Sequence, residues 1–176
     1  LNITASHNPP EYNGIKFSMA SGGPALPEVT AAIEAEANRL LEGPPLPPAA
    51  LAGPPAAPIT PTDPSPPYAE RVLALLDRAC LRRARLRVVV DPLYGTGRGY
   101  LDTLCRATGC EVTVIHASRD PLFGGGTPEP SVENLADLAR AVRETGAHLG
   151  LATDSETVAL TIVPVAIGLM KERTCS

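Results

Sequence analysis

Eleven of the chain's twenty prolines fall between Pro44 and Pro67. Each proline fixes φ and removes a backbone donor, so this stretch is expected to be neither helix nor central strand. It reads as a semi-rigid, partly polyproline linker with folded parts on either side of it. Its P-x-x-P spacing also leaves open a second role as ligand for a proline-recognition module.

The folded parts must build their cores from aliphatic residues. Apolar residues make up 44 % of the 176, but aromatics only 3 %, with no Trp. That balance suits helices packed on an aliphatic sheet. The net charge of −4 and the scattered Lys and Arg residues offer no basic face for phosphates, so nucleic acid is excluded as an expected partner. Cys80, Cys105, Cys110 and Cys175 form no C-x-x-C pair and follow no secretory leader; they are expected to be reduced thiols in a cytoplasmic protein. The chain starts at Leu1 on residues that read as the middle of a domain, which points to a fragment.

Before the linker, Pro27-Glu28 opens a helix whose apolar positions Val29, Ile33, Leu40 and Leu41 recur at near-helical spacing, and Gly43 closes it. After it, Tyr68, Val72, Leu75, Leu76 and Ala79 form a second amphipathic stripe. Both are expected to face a core. From Leu86 the pattern alternates: a strand to Asp91, a helix around Tyr100 to Ala107, a strand Glu111 to His116, a helix Val132 to Arg143 and a strand Leu149 to Thr153. This βαβαβ order predicts an α/β fold with a mostly parallel sheet flanked by helices and right-handed crossovers. Functional groups then belong on loops at the carboxyl ends of the strands.

Two such loops carry chemistry. The run from Asp91 through Gly95-Thr96-Gly97-Arg98-Gly99 follows a strand and opens a helix, but its G-x-G-x-G spacing and the lack of an acid after the next strand argue against a dinucleotide fingerprint. The glycines are expected to serve a tight strand-to-helix turn. At the third strand's end, Thr153-Asp154-Ser155-Glu156 offers two acids for a hard cation such as Mg²⁺, or simply a turn and helix cap.

A third loop opens the chain. Thr4-Ala5-Ser6-His7-Asn8-Pro9, with Asn13-Gly14-Ile15-Lys16-Phe17, holds more hydroxyl, imidazole and amine groups than a turn needs. It resembles the phosphoserine loop of the α-D-phosphohexomutases, the phosphoglucomutase and phosphomannomutase family. The resemblance continues through Val88-Val89-Val90-Asp91-Pro92, Gly95 to Leu101, Arg119-Asp120-Pro121-Leu122-Phe123-Gly124-Gly125, Pro128-Glu129-Pro130 and Leu149 to Asp154. It implies a remnant of a first α/β domain over 1–43, the proline-rich linker over 44–67, and a second domain with an atypical tail over 68–176.

The resemblance also implies an activity. In that family the loop serine, here Ser6, gives its phosphoryl group to a hexose phosphate, forms a bisphosphorylated sugar, and takes back the other phosphoryl. Hexose 1-phosphate and hexose 6-phosphate are thereby interconverted, with hexose 1,6-bisphosphate as intermediate or activator. A hydroxyl preorganised beside a cation and cationic donors suits phosphoryl transfer. His7 and Lys16 match residues lining the site, Lys16 for proton transfer or phosphate contact. Ser6, Asp154 and Glu156 match the Mg²⁺ ligands.

The match fails after Asp154, where the family reads Asp-Gly-Asp-x-Asp-Arg and this chain reads Asp154-Ser155-Glu156-Thr157-Val158-Ala159. Two carboxylates of unequal length make a poor octahedral cage, so the metal site is expected to be weak. The apolar run from Val158 to Met170 is too short and too broken to span a bilayer, and is expected to be a buried strand or a sticky tail. Its abrupt departure suggests a truncated or shifted reading frame. The expected product is an impaired mutase; the alternative is a non-catalytic module that keeps the fold and binds sugar phosphates or a protein partner. The oligomeric state has no readable signal.

Overall fold

A computed structural model describes residues 1–5, 8–9, 11–45, 60–154 and 160–164. The chain divides into two compact units, one comprising 1–4 and 13–63, the other 5–12 and 64–176.

In the first unit, β1 (Asn2–Ile3) pairs antiparallel with β2 (Ile15–Lys16), with Asn2 opposite Lys16 and Ile3 opposite Ile15. Helix α1 (Pro27–Glu42) follows the sequence signals closely. Pro27 sits in the first turn, where its missing N–H costs nothing; Glu28 lies at the positive end of the helix dipole; Gly43 caps the other end. Its apolar stripe, however, faces no core. No residue of α1 is buried and Leu41 is 82 % exposed. The stripe is real, but nothing in the described part of this unit covers it.

The second unit holds the sheet. Helix α2 (Ser65–Leu75) begins inside the proline-rich stretch, with prolines in its first turn, where the N–H groups have no helical acceptor. The single stripe expected from Tyr68 to Ala79 is two helices. The chain turns extended at Leu76, and Asp77 caps α3 (Arg78–Ala84) by accepting a 2.9 Å bond from the Cys80 N–H.

Strand β3 (Arg87–Asp91), α4 (Leu101–Ala107), β4 (Glu111–Val114), α5 (Ala136–Thr145) and β5 (Leu149–Thr153) realise the expected βαβαβ order. The sheet runs β4-β3-β5-β6, its first three strands parallel. The last strand, β6 (Leu160–Pro164), lies antiparallel to β5. It falls in the apolar run after Asp154, where a buried strand was one expectation; Ile162 at its centre is 60 % exposed, because β6 is an edge strand.

Side-chain alternation decides what each face buries. Val89 and Ala152 lie in one core with Leu135, Leu138, Val142 and Ala147, where α5 packs on β3 and β5. Gly150 is required there: a Cβ would come within 2.9 Å of Leu138 and Val142. Val88 and Val90 point to the opposite face and are equally buried, while α4 packs on β3 and β4.

Three local expectations need correction. The second strand ends at Val114, because His116 takes φ +50° and leaves the sheet. The helix expected from Val132 starts at Ala136, since Asn134 is engaged instead with the loop before it, donating to Thr127 and to the Glu129 carbonyl. In the glycine loop, Gly99 alone of Gly95, Gly97 and Gly99 has positive φ, and Leu93 and Tyr94 take the other left-handed positions. Arg98 secures that turn by donating from its guanidinium to the Tyr94 and Gly95 carbonyls.

Candidate active site

The loop expected to carry the nucleophile lies between β1 and β2. The Thr4 N–H donates to the Gly14 carbonyl at 2.9 Å, extending the ribbon by one rung, and the Asn13 carboxamide oxygen accepts from the Gly14 N–H at 2.9 Å. Within the loop, Asn8 N–H donates to the Ala5 carbonyl and Tyr12 N–H to that of Pro9. These are the turn functions of Asn and Pro. Ser6 and His7 lie outside the described residues. Lys16 closes the ribbon opposite Asn2 and is exposed.

Asp154 stands at the carboxyl end of β5, only 6 % exposed. Next to it, the Thr153 hydroxyl is buried and finds no hydrogen-bond partner among the described residues. Leaving a hydroxyl unpaired in the interior costs about 1–3 kcal/mol, so it is a group able to accept an additional contact. The Asp154 carboxylate and this hydroxyl are oxygen donors of the kind a hard cation takes. Among the described residues, though, no three His, Cys, Asp or Glu side chains converge as a metal site, and Glu156 lies outside them. These donors fall short of a metal cage.

The same edge of the sheet carries an arrangement that the sequence reading missed. Asp91, fully buried at the end of β3, accepts from the Leu93 N–H through Oδ1 at 2.8 Å and lies 2.9 Å from His116 Nδ1 through Oδ2. His116 Nε2 lies 3.5 Å from the Asp137 carboxylate in the first turn of α5. The imidazole stacks on Tyr94, ring centroids 4.8 Å apart. Gly124 makes room for that stack, since a Cβ there would meet the Tyr94 ring at 2.8 Å. Asp120 holds the neighbouring turn by accepting from the Leu122 and Gly124 N–H groups.

Burial pushes the Asp91 carboxyl above the ordinary range, while the Leu93 N–H and His116 pull it down. Tyr94, His116 and Asp137, though not Asp91 itself, line a cleft of about 190 Å³ with Phe123, Thr127 and Glu133. The sequence held one signal for this: adjacent parallel strands that end in an acid and, two residues past the next strand, an imidazole. In register, Val90 pairs with Val114, which brings Asp91 and His116 to the same edge.

Of the four cysteines, Cys105 and Cys110 are free thiols as expected. Cys80 is instead disulfide-bonded, so the expectation of four reduced thiols does not hold for it. Among the described residues no helix is long and apolar enough to cross a membrane.

Comparison with known proteins identifies the architecture. The family description "Phosphoglucomutase/phosphomannomutase, alpha/beta/alpha domain II" matches residues 66–163, and "alpha/beta/alpha domain I" of the same family matches 1–43. A probable phosphoglucosamine mutase of Methanopyrus kandleri is 38 % identical over 154 residues, which is 88 % of this chain and 32 % of that protein. A phosphoglucomutase/phosphomannomutase of Thermococcus kodakarensis is 33 % identical with the same coverage. The crystal structure of a protein described as a "putative phosphomannomutase" from Thermus thermophilus superposes with a TM-score of 0.74 at 30 % identity, over 92 % of this chain and 35 % of that one. The chain thus spans about a third of the length of the relatives it matches. Matched over residues 66–163 and 1–43, this chain belongs to the phosphoglucomutase/phosphomannomutase family.

Proposed function

We propose that this chain carries the phosphoryl-transfer half of a phosphohexomutase. The observation that carries the reading is the match to domains I and II in sequence order, with Thr4-Ala5-Ser6-His7-Asn8-Pro9 in a loop whose ribbon is closed by the Thr4–Gly14 bond. In this reading the Ser6 hydroxyl bears a phosphoryl group and donates it to a hydroxyl of a hexose 1-phosphate or hexose 6-phosphate. The resulting 1,6-bisphosphate returns its other phosphoryl to Ser6. Lys16, exposed at the ribbon's edge, contacts phosphate or moves the proton, and His7 assists beside the serine. Were Mg²⁺ bound, Asp154 with Ser6 and Glu156 would be the residues to hold it, only weakly, and it would supply positive charge close to phosphate.

Activity of these residues alone is proposed to be impaired, because placement by several surrounding domains supplies much of such a barrier reduction. A cytoplasmic setting belongs to the same proposal; the free thiols of Cys105 and Cys110 support it and the disulfide-bonded Cys80 stands against it. The test is mass analysis of the tryptic peptide 1–16 after incubation with glucose 1,6-bisphosphate and Mg²⁺. Phosphate on that peptide, absent in Ser6→Ala, is the expected result. An unmodified wild-type peptide defeats the phosphoryl-carrier role.

One observation favours a second reading. Val158 and Ala159 stand where the family's acid and Arg would complete the metal loop, as in a module that binds sugar phosphate without turning it over. Calorimetric binding of glucose 6-phosphate without any Ser6 phosphorylation would select it.

A further inference from the structure

Helix α4 ends in a closed turn that brings two cysteines together. Gly109, at φ +89°, is the left-handed residue after the cap; its N–H donates to the Arg106 carbonyl at 2.9 Å, and the Cys110 N–H donates back to the Cys105 carbonyl at 3.1 Å. This pair of bonds is the Schellman motif, in which the side chains of the two residues joined by the outer bond meet across the turn. Here both are free, partly exposed thiols. Thr108 fixes their placement: its hydroxyl donates to the Cys105 carbonyl at 2.7 Å and lies 3.5 Å from Cys110 Sγ. A Cβ on Gly109 would press on Arg82 at 2.9 Å in a strained backbone, so glycine is needed at this turn.

We propose that Cys105 and Cys110 form a reversible intramolecular disulfide, a redox modification site separate from the mutase chemistry. Its formation would tie the end of α4 to the residue that leads into β4. Burial, then the neighbouring Cys110 sulfur and Asp102, push the Cys105 thiol up to about 11, which makes Cys105 the poor first nucleophile. Cys110 therefore meets the oxidant, a low-molecular-weight disulfide. Its thiolate attacks one sulfur, breaks the S–S bond and expels one thiolate, leaving a mixed disulfide. Cys105, deprotonated, then attacks Cys110 Sγ and expels the second thiol. Two protein thiols lose two electrons and two protons, and the oxidant becomes two thiols.

The test uses the whole chain with oxidised glutathione, followed by alkylation and trypsin, which cuts after Arg98, Arg106 and Arg119. The expected product is peptide 99–106 joined to 107–119, two hydrogens lighter than their sum. Cys105→Ser should instead retain glutathione on peptide 107–119. The equilibrium constant for closure should fall at least about tenfold in urea, where the turn no longer holds the pair together. Full alkylation of both peptides, a wild-type reaction that stops at the mixed disulfide, linkage to Cys80, or equal closure in native and denaturing buffer would each overturn the proposal.

Discussion

Asp91 Oδ2 lies 2.9 Å from His116 Nδ1, a contact between residues 25 apart in sequence that closes the carboxyl edge of the sheet. Asp91 is fully buried while His116 is partly exposed, so the pair links the core to the loop that crosses above it.

Removing the carboxyl should therefore be costly. Asp91→Ala leaves the buried Leu93 N–H without its acceptor and His116 without its nearer partner, and is expected to destabilise the fold by about 3 kcal/mol. Asp91→Asn keeps an oxygen for Leu93 and should cost about 1 kcal/mol. Urea unfolding measures both; equal losses would mean that the hydrogen bonds are not what Asp91 supplies.

The same carboxyl gives a pH signature. Burial raises it, so the folded chain binds that proton more tightly than the unfolded chain. Its contribution to stability is fully present below the unfolded value of about 3.9 and is lost as pH rises through the folded value. Stability of the wild type relative to Asp91→Asn should fall as pH rises from about 4 toward neutrality. A rising difference would show that the Leu93 and His116 contacts outweigh burial.

The α5–β5 contact should resist change in both directions. Leu138→Ala removes a fully buried side chain and should cost about 2–5 kcal/mol. Gly150→Ala adds one methyl where Leu138 and Val142 already stand 2.9 Å from the Cβ position, and should cost about 1–3 kcal/mol. If the tightness at Gly150 comes from Leu138, the double variant will lose less than the sum of the two. Additive losses in a double-mutant cycle would place the strain elsewhere.

Helix α3 depends on its cap. Asp77→Ala deprives the Cys80 N–H of its acceptor and should cost about 1 kcal/mol, with Asp77→Asn or Asp77→Ser retaining most of it. Thermal unfolding of the three variants, monitored by far-UV circular dichroism, separates a capping role from a general effect of charge.

The alternation of elements is written in local residue chemistry. β-branched runs such as Val88-Val89-Val90 and the punctuation by Gly43 and Gly109 act within a few residues, so βαβαβ, the start of α1 at Pro27 and the resemblance of the Ser6 loop were legible without tertiary information. The tertiary structure alone decided what those elements face. The stripe of α1 has the period of a core helix but nothing over it among the described residues, and the stripe after the linker is cut at Leu76 because Asp77 offers a better start than continuation. The Asp91–His116–Asp137 cluster was invisible for the same reason: its members belong to β3, the segment after β4, and α5, and only the parallel register with the crossover loop brings them to one edge. Periodicity records how often a chain presents an apolar face; which partner meets that face depends on contacts between distant residues, and those exist only once the sheet has formed.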